Sequence, residues 1–209
     1  MSQELGKVER PLAEDYQKGR KLFFVPLIFR PMELEAEFLE IVNRYWSQVE
    51  EQVSKLEAKL GRVNEVYHEL VPVGGEEAAK VIEELNSESY QVVKACVEKG
   101  AELQPIEDGK LLVEFMDWGK CLAVGLQSQE IFTKVYEYYS EARKKRDIHI
   151  AEQIAETLKD DEVGILFMRE GHQVQFSSDI QVFYVAPPGL DEIKRWLRSR
   201  ESEVSGGDG

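Results

Sequence analysis

At 209 residues with 43% hydrophobic content, the chain is long enough to bury one full core, and a single domain is the default. A net charge of −14 argues against a nucleic-acid surface, because no cluster of Lys and Arg outweighs its acidic neighbours. No apolar stretch approaches the length of a membrane span and the N-terminus is too charged for a signal peptide, so a cytoplasmic protein with neither nucleic-acid nor membrane partners is expected.

Residues 1–20 are polar and read as a flexible N-terminal arm. The run Leu22 to Phe29 is short, aromatic and apolar, as a buried strand is. Pro31 then introduces a helix over Glu33 to Leu60, with Phe38, Ile41, Val42, Tyr45, Val49, Val53, Leu56 and Leu60 stepping by three or four. That stripe would pack on a sheet. Its heptad-like spacing also makes it the candidate surface for a homodimer. Val63 to Val73 predicts a second strand, closed by Gly74-Gly75. Glu76 to Lys99 is helical in period, with a break at Asn86-Ser87. Ala101 to Ile106 predicts a third strand. Over 108–119 two readings compete. Asp108-Gly109 would turn a hairpin, whereas Leu111, Leu112, Phe115, Trp118 and Leu122 keep a helical period, and the helix is the reading preferred.

A long helix follows over Ser128 to Lys159, with Val135, Tyr139, Ala142, Arg146, Ile150, Ile154 and Leu158 on its inner face. Val163–Met168 and Ile180–Ala186 are strand-like, and Pro187-Pro188 opens a last helix to about Arg200. Residues 201–209 hold little to bury and read as a disordered tail. Strands alternating with helices predict an α/β single domain over 21–200, with a mostly parallel sheet flanked by long helices. Cys96 and Cys121 fall in no metal or redox spacing and read as buried thiols of a reducing compartment.

Four apolar runs end in charged or imidazole groups: at Arg30, at His68-Glu69, at Glu107-Asp108 and at Arg169-Glu170-Gly171-His172. In an open α/β sheet the ligand crevice lies outside the carboxyl ends of the strands, so these ends mark the expected site. Arg146 is a charge on an apolar helical stripe, which is costly unless a carboxylate or carbonyls satisfy it. It reads either as a structural ion pair with Asp147 or a sheet carboxylate, or as an anion-holding group facing the crevice. The surrounding Arg143-Lys144-Lys145-Arg146 run reads as a solvated helix face. His68 and Glu69 are adjacent, so on a strand they point to opposite faces. Asp108 has a helix-cap role open to it, but Glu107 has no such local explanation. Gly171 permits a positive φ beside His172, the best single candidate for a functional residue. His172, Glu69 and His68 would be the ligands of a divalent metal such as zinc or manganese. There is no His-x-x-x-His or His-x-His pair, no Gly-x-Ser-x-Gly elbow and no phosphate-binding glycine loop.

This layout resembles the TraB/Tiki/erythromycin-esterase superfamily over about residues 21–186. Glu69 in His68-Glu69-Leu70 matches the strand-two glutamate, Arg146 before His149-Ile150-Ala151-Glu152 matches the helical arginine, and Gly171-His172 matches the final glycine–histidine motif. The first strand offers Phe24-Val25-Pro26-Leu27 where the family has Gly-x-x-His, and the last motif lacks the two residues between glycine and histidine. The resemblance therefore implies a metal site short of at least one ligand. Two functions follow. The first is a non-catalytic or degenerate relative that binds a small molecule or a partner protein at the strand carboxyl ends. The second is a small metal-dependent hydrolase using Glu69, Glu107, Arg146 and His172.

Overall fold

A computed structural model describes residues 18–29 and 36–206. Their elements are β1 (Arg20–Pro26), α1 (Ala36–Leu60), β2 (Glu65–His68), α2 (Gly75–Leu85), α3 (Ser87–Glu98), β3 (Glu102–Gln104), α4 (Gly109–Ala123), α5 (Gln129–Thr157), β4 (Val163–Met168), β5 (Ile180–Tyr184) and α6 (Pro188–Gly206). The strands form one sheet in the order β3-β2-β4-β1-β5, and every pairing is parallel. This is the α/β architecture that the alternation predicts. The Val163–Met168 run becomes an inner strand between β2 and β1 and is buried along its whole length. A parallel strand covered on both faces has to be continuously apolar.

The connections explain the two layers. From β1 the chain steps outward to β2 and β3, then returns to insert β4 beside β1. Crossovers between parallel strands keep one hand, so outward and return connections fall on opposite faces. Accordingly α1, α2, α3 and α6 cover one face, where Phe38, Val42, Tyr45, Val49, Ile82, Val93 and Ile193 meet Phe23, Val66, Ile165 and Phe167. The other face is covered by the second half of α5, with Ile150, Ile154 and Leu158 against Leu22, Phe24, Tyr67 and Leu166. The first half of α5 pairs with α4 as a helical hairpin standing at the carboxyl edge of the sheet.

The helix reading of 108–119 holds, because the Asp108 carboxylate caps the amides of Lys110 and Leu111 at 2.9 Å each. The break between α2 and α3 falls at Asn86, whose amide donates to the Ile28 carbonyl at 2.7 Å while its oxygen caps the Ser89 amide. Other expectations are corrected. β2 ends at His68, well short of Val73, because Leu70 takes φ 67, a left-handed conformation that cannot continue a strand. The α1 stripe from Phe38 to Val53 is buried inside the chain and includes Trp46. That apolar face packs on the sheet and α6, the packing that the stripe predicts; residues 33–35 lie outside the described residues. Cys121 is exposed, since α4 packs mainly on α5 and buries only Leu112. The last helix continues to Gly206, past the expected stop at Arg200. Nothing in Glu201-Ser202-Glu203-Val204-Ser205 breaks a helix. The expected arm over 1–20 and tail over 201–209 otherwise fall on residues 1–17 and 207–209, outside the described residues.

Gly164 shows how tightly β4 is set. A Cβ there would lie 2.9 Å from the Tyr67 ring and 3.0 Å from a Leu22 methyl, both on buried neighbouring strands. Gly164→Ala is therefore expected to destabilise the protein by about 1–3 kcal/mol through overpacking. Urea unfolding should show a lower midpoint at unchanged slope; a wild-type midpoint would mean that the strands can part to admit the methyl.

Candidate functional site

At the carboxyl ends of β2, β3 and β4 the chain presents Glu69, Glu107 and the turn Arg169–His172, and α5 lies across them. Arg146 is 3% exposed and sits between both carboxylates. Its Nε donates to Glu107 Oε2 at 2.8 Å, its Nη2 donates to Glu107 Oε1, and the same nitrogen lies 3.4 Å from Glu69 Oε2. The Phe115 ring of α4 closes over the guanidinium, with Cζ 4.9 Å from its centroid. Burial works against the charge of Arg146, but the hydrogen bonds and charge of Glu107, with the charges of Glu69 and Asp147 behind them, outweigh it and raise its pKa further above the ordinary arginine value. A planar fork meeting a carboxylate edge-on is the arrangement that fits arginine and not lysine.

The remaining carboxylate oxygens are also engaged. Glu107 Oε1 accepts the Leu70 amide at 2.8 Å, which holds that residue in its left-handed conformation. Glu69 Oε1 accepts both the backbone amide of Arg169, at 2.7 Å, and its Nε, at 2.9 Å. Asp147, next to Arg146 and also buried, accepts the Gln173 amide at 3.1 Å, and Arg143 one turn earlier donates to the Gly171 carbonyl. Gly171, at φ 81, makes the turn that these two contacts tie to α5.

Together these groups line a crevice of about 230 Å³, walled by Glu69, Arg143, Arg146, Arg169, His172 and the rings of Phe115 and Tyr139. Glu69, Arg146 and His172 thus face one space, with Glu107 directly behind Arg146. His172 is half-buried between Phe24 and Phe176. Its Nδ1 accepts the Val174 amide at 3.2 Å, which puts the proton of the neutral ring on Nε2. Burial lowers the His172 pKa against the opposing pull of Asp147 and Glu69, while Arg143 and Arg146 lower it further, so the neutral form is favoured.

His68 goes elsewhere. As its adjacency to Glu69 requires, it points to the opposite face, where it is 1% exposed and stacks on Phe167. Its Nδ1 donates to the Glu69 carbonyl at 2.8 Å and its Nε2 lies 3.1 Å from the Ser89 hydroxyl. It cannot join Glu69 and His172 around a metal. The donor set does not fit one in other respects either. Among the described residues no group of three or more His, Cys, Asp and Glu side chains could hold a metal ion. Both glutamates face guanidinium nitrogens. Metal on His172 Nε2 would need the ring proton on Nδ1, against an amide that already donates there.

Arg143 was not among the expected site residues, Asp147 was expected only as a structural ion-pair partner of Arg146, and Arg169 only as part of the run that ends β4. Arg143 lies three residues before Arg146, hence on the same helical face; its place inside a basic run hid that geometry. No protein-family model, no curated protein and no solved structure matches the chain.

Removing one partner of a buried ion pair leaves the other charge uncompensated. Arg146→Met is therefore expected to cost roughly 3–5 kcal/mol of stability. The double variant Arg146→Met with Glu107→Leu should lose less than the single one, as denaturant titration of both will read. A second prediction concerns pH. Burial holds His68 neutral and takes its pKa from the ordinary 6.5 down to about 4, so between those values the unfolded chain binds the extra proton and stability falls as pH falls. The loss should reach about 3 kcal/mol and level off below the folded-state value. His68→Gln should remove most of that acid limb, and an unchanged pH profile in the variant would show that other groups set it.

Proposed function

We propose that the protein binds a small oxyanion-bearing molecule in the crevice at the carboxyl edge of the sheet, as a ligand-binding protein of cytoplasmic type. One observation carries this reading. The crevice carboxylates are engaged by partners, whereas Arg143 Nη1, both Arg169 Nη atoms and His172 Nε2 have no acceptor among the described residues. Guanidinium forks and a neutral imidazole N–H are donors only, and together they suit the oxygens of a phosphate, sulfate or carboxylate. Arg146 has its charge matched by Glu107 and Glu69, so its part is to hold the floor in shape.

The metal-dependent hydrolase alternative would require Glu69 and Glu107 to leave Arg146 and His172 to exchange its tautomer. Kinship with the TraB/Tiki/erythromycin-esterase superfamily remains a proposal on the same residues. It is supported by the convergence of Glu69, Glu107, Arg146 and His172 about one crevice.

The test is thermal unfolding with inorganic phosphate or pyrophosphate against chloride of equal ionic strength. A ligand at a hundredfold excess over its Kd stabilises by about 2.7 kcal/mol, which for a chain of this size raises Tm by several degrees. Arg143→Gln with Arg169→Gln should fold and lose the shift. Equal midpoints in phosphate, pyrophosphate and chloride would end the anion-binding reading.

A further inference from the structure

We infer that the anion held in this crevice is one end of a longer molecule whose other end is a planar, uncharged ring system lying along α5; the inference rests on the anion-binding reading above. The arginine face of α5 does not stop at the crevice. Stepping back from Arg143 by three or four residues gives Tyr139, Tyr136 and Phe132, which the helical repeat places on the same side. These rings form a continuous file. Phe132 and Tyr136 stack with centroids 6.1 Å apart and planes 14° from parallel, Tyr136 lies 6.5 Å from Tyr139, and Tyr139 stacks on Phe115 at 5.2 Å. Tyr139 and Phe115 already wall the crevice. Tyr136 and Phe132 continue outward, 53% and 40% exposed.

Two independent properties join here. The donors that lack protein acceptors are at the inner end of the face, and the ring surface that lacks cover is at its outer end. No charged side chain interrupts the file between Phe132 and Arg143 on that face. A free oxyanion would use only the inner end. A molecule with a flat aromatic body would place its acid on Arg143, Arg169 and His172 and its ring against Tyr139 and Tyr136, where stacking and burial reward it. The geometry also bounds its size. Tyr136 precedes Arg143 by seven residues and Phe132 by eleven, about 10 Å and about 16 Å along a helix. One or two fused rings with an attached acid span that distance; a bare sugar acid offers less flat surface to it.

Calorimetric titration of the full chain with inorganic phosphate, naphthyl phosphate and naphthoate tests this. Naphthyl phosphate should bind at least about tenfold tighter than inorganic phosphate, the return expected for one stacked ring system. Tyr136→Ala, at an exposed position that need not disturb folding, should erase that advantage and leave inorganic phosphate binding as it is. Tyr136→Phe should retain it. A gain with naphthoate as well supports the inference and widens the acid to carboxylates; a gain with the phosphate alone supports it and narrows the acid. Equal affinity for inorganic and naphthyl phosphate would overturn the ring inference and leave the anion reading standing, whereas no binding of any probe would remove both. If light scattering shows a dimer that dissociates on Tyr136→Ala, a second copy covers the file and the inference is wrong.

Discussion

A guanidinium cannot be left alone in a protein interior, and the carboxyl edge of this sheet is organised by that requirement. Arg146 reaches inward from α5 and is met by carboxylates from the ends of two different strands, Glu69 after β2 and Glu107 after β3. Each carboxylate then holds a backbone segment: Glu107 the left-handed Leu70, Glu69 the first residue of the turn after β4. One buried charge thereby ties α5 to the ends of three strands. Replacing such a network by apolar side chains of the same shape is often neutral or stabilising, so its presence is weak evidence about stability. What it does here is local: it orients the groups that border the crevice and leaves Arg143 and Arg169 facing outward from a rigid floor.

The topology determines that this happens at the carboxyl edge. Because β4 is inserted between β2 and β1 on the return path, its final turn is delivered beside the end of β2. Because the return connection runs on the opposite face from the outward ones, α5 is the helix that overlies those ends. A helix of 29 residues is far longer than the strands it covers, and its first half therefore extends past the sheet with α4 alongside. The same length that carries Arg146 over the sheet edge exposes Tyr136 and Phe132 beyond it.

Much of this was legible in the sequence where one physical rule dominates. A continuous apolar run had to be an inner parallel strand, a strict three-four stripe had to be a helix against the sheet, and Arg146 stood out because a charge on such a stripe needs a partner. Readings failed where two rules competed or where the deciding contact was remote. Leu70 looks like strand continuation in sequence, but it takes a left-handed φ and donates its amide to the Glu107 carboxylate 37 positions away. The Arg143–Arg146 run looks solvated because charge density is visible in one dimension, whereas the half-turn that separates buried Arg146 from exposed Lys144 and Lys145 is not. Cys121 reads as a buried thiol because it falls in no metal or redox spacing, but α4 has one main packing partner and cannot bury all its faces.

The chain carries a net charge of −14, which repels any anion at long range, yet the crevice side chains nearly balance: Glu69, Glu107, Asp147 and Glu170 against Arg143, Arg146 and Arg169. Charge steering is therefore absent as a means of capture, and salt that screens over a Debye length of about 10 Å weakens the repulsion more than it weakens contacts inside the crevice. If the crevice binds an anion as proposed, selection comes from short-range, directional groups: two guanidinium forks, one imidazole N–H fixed by the Val174 amide, and ring faces with a defined plane. A site of that kind would discriminate by shape and by the position of oxygens, and would gain little from ligand charge alone. On the proposed reading, Arg143, Arg146 and Arg169, each already steadied by a carboxylate or a carbonyl, would recognise a ligand on contact and not at a distance.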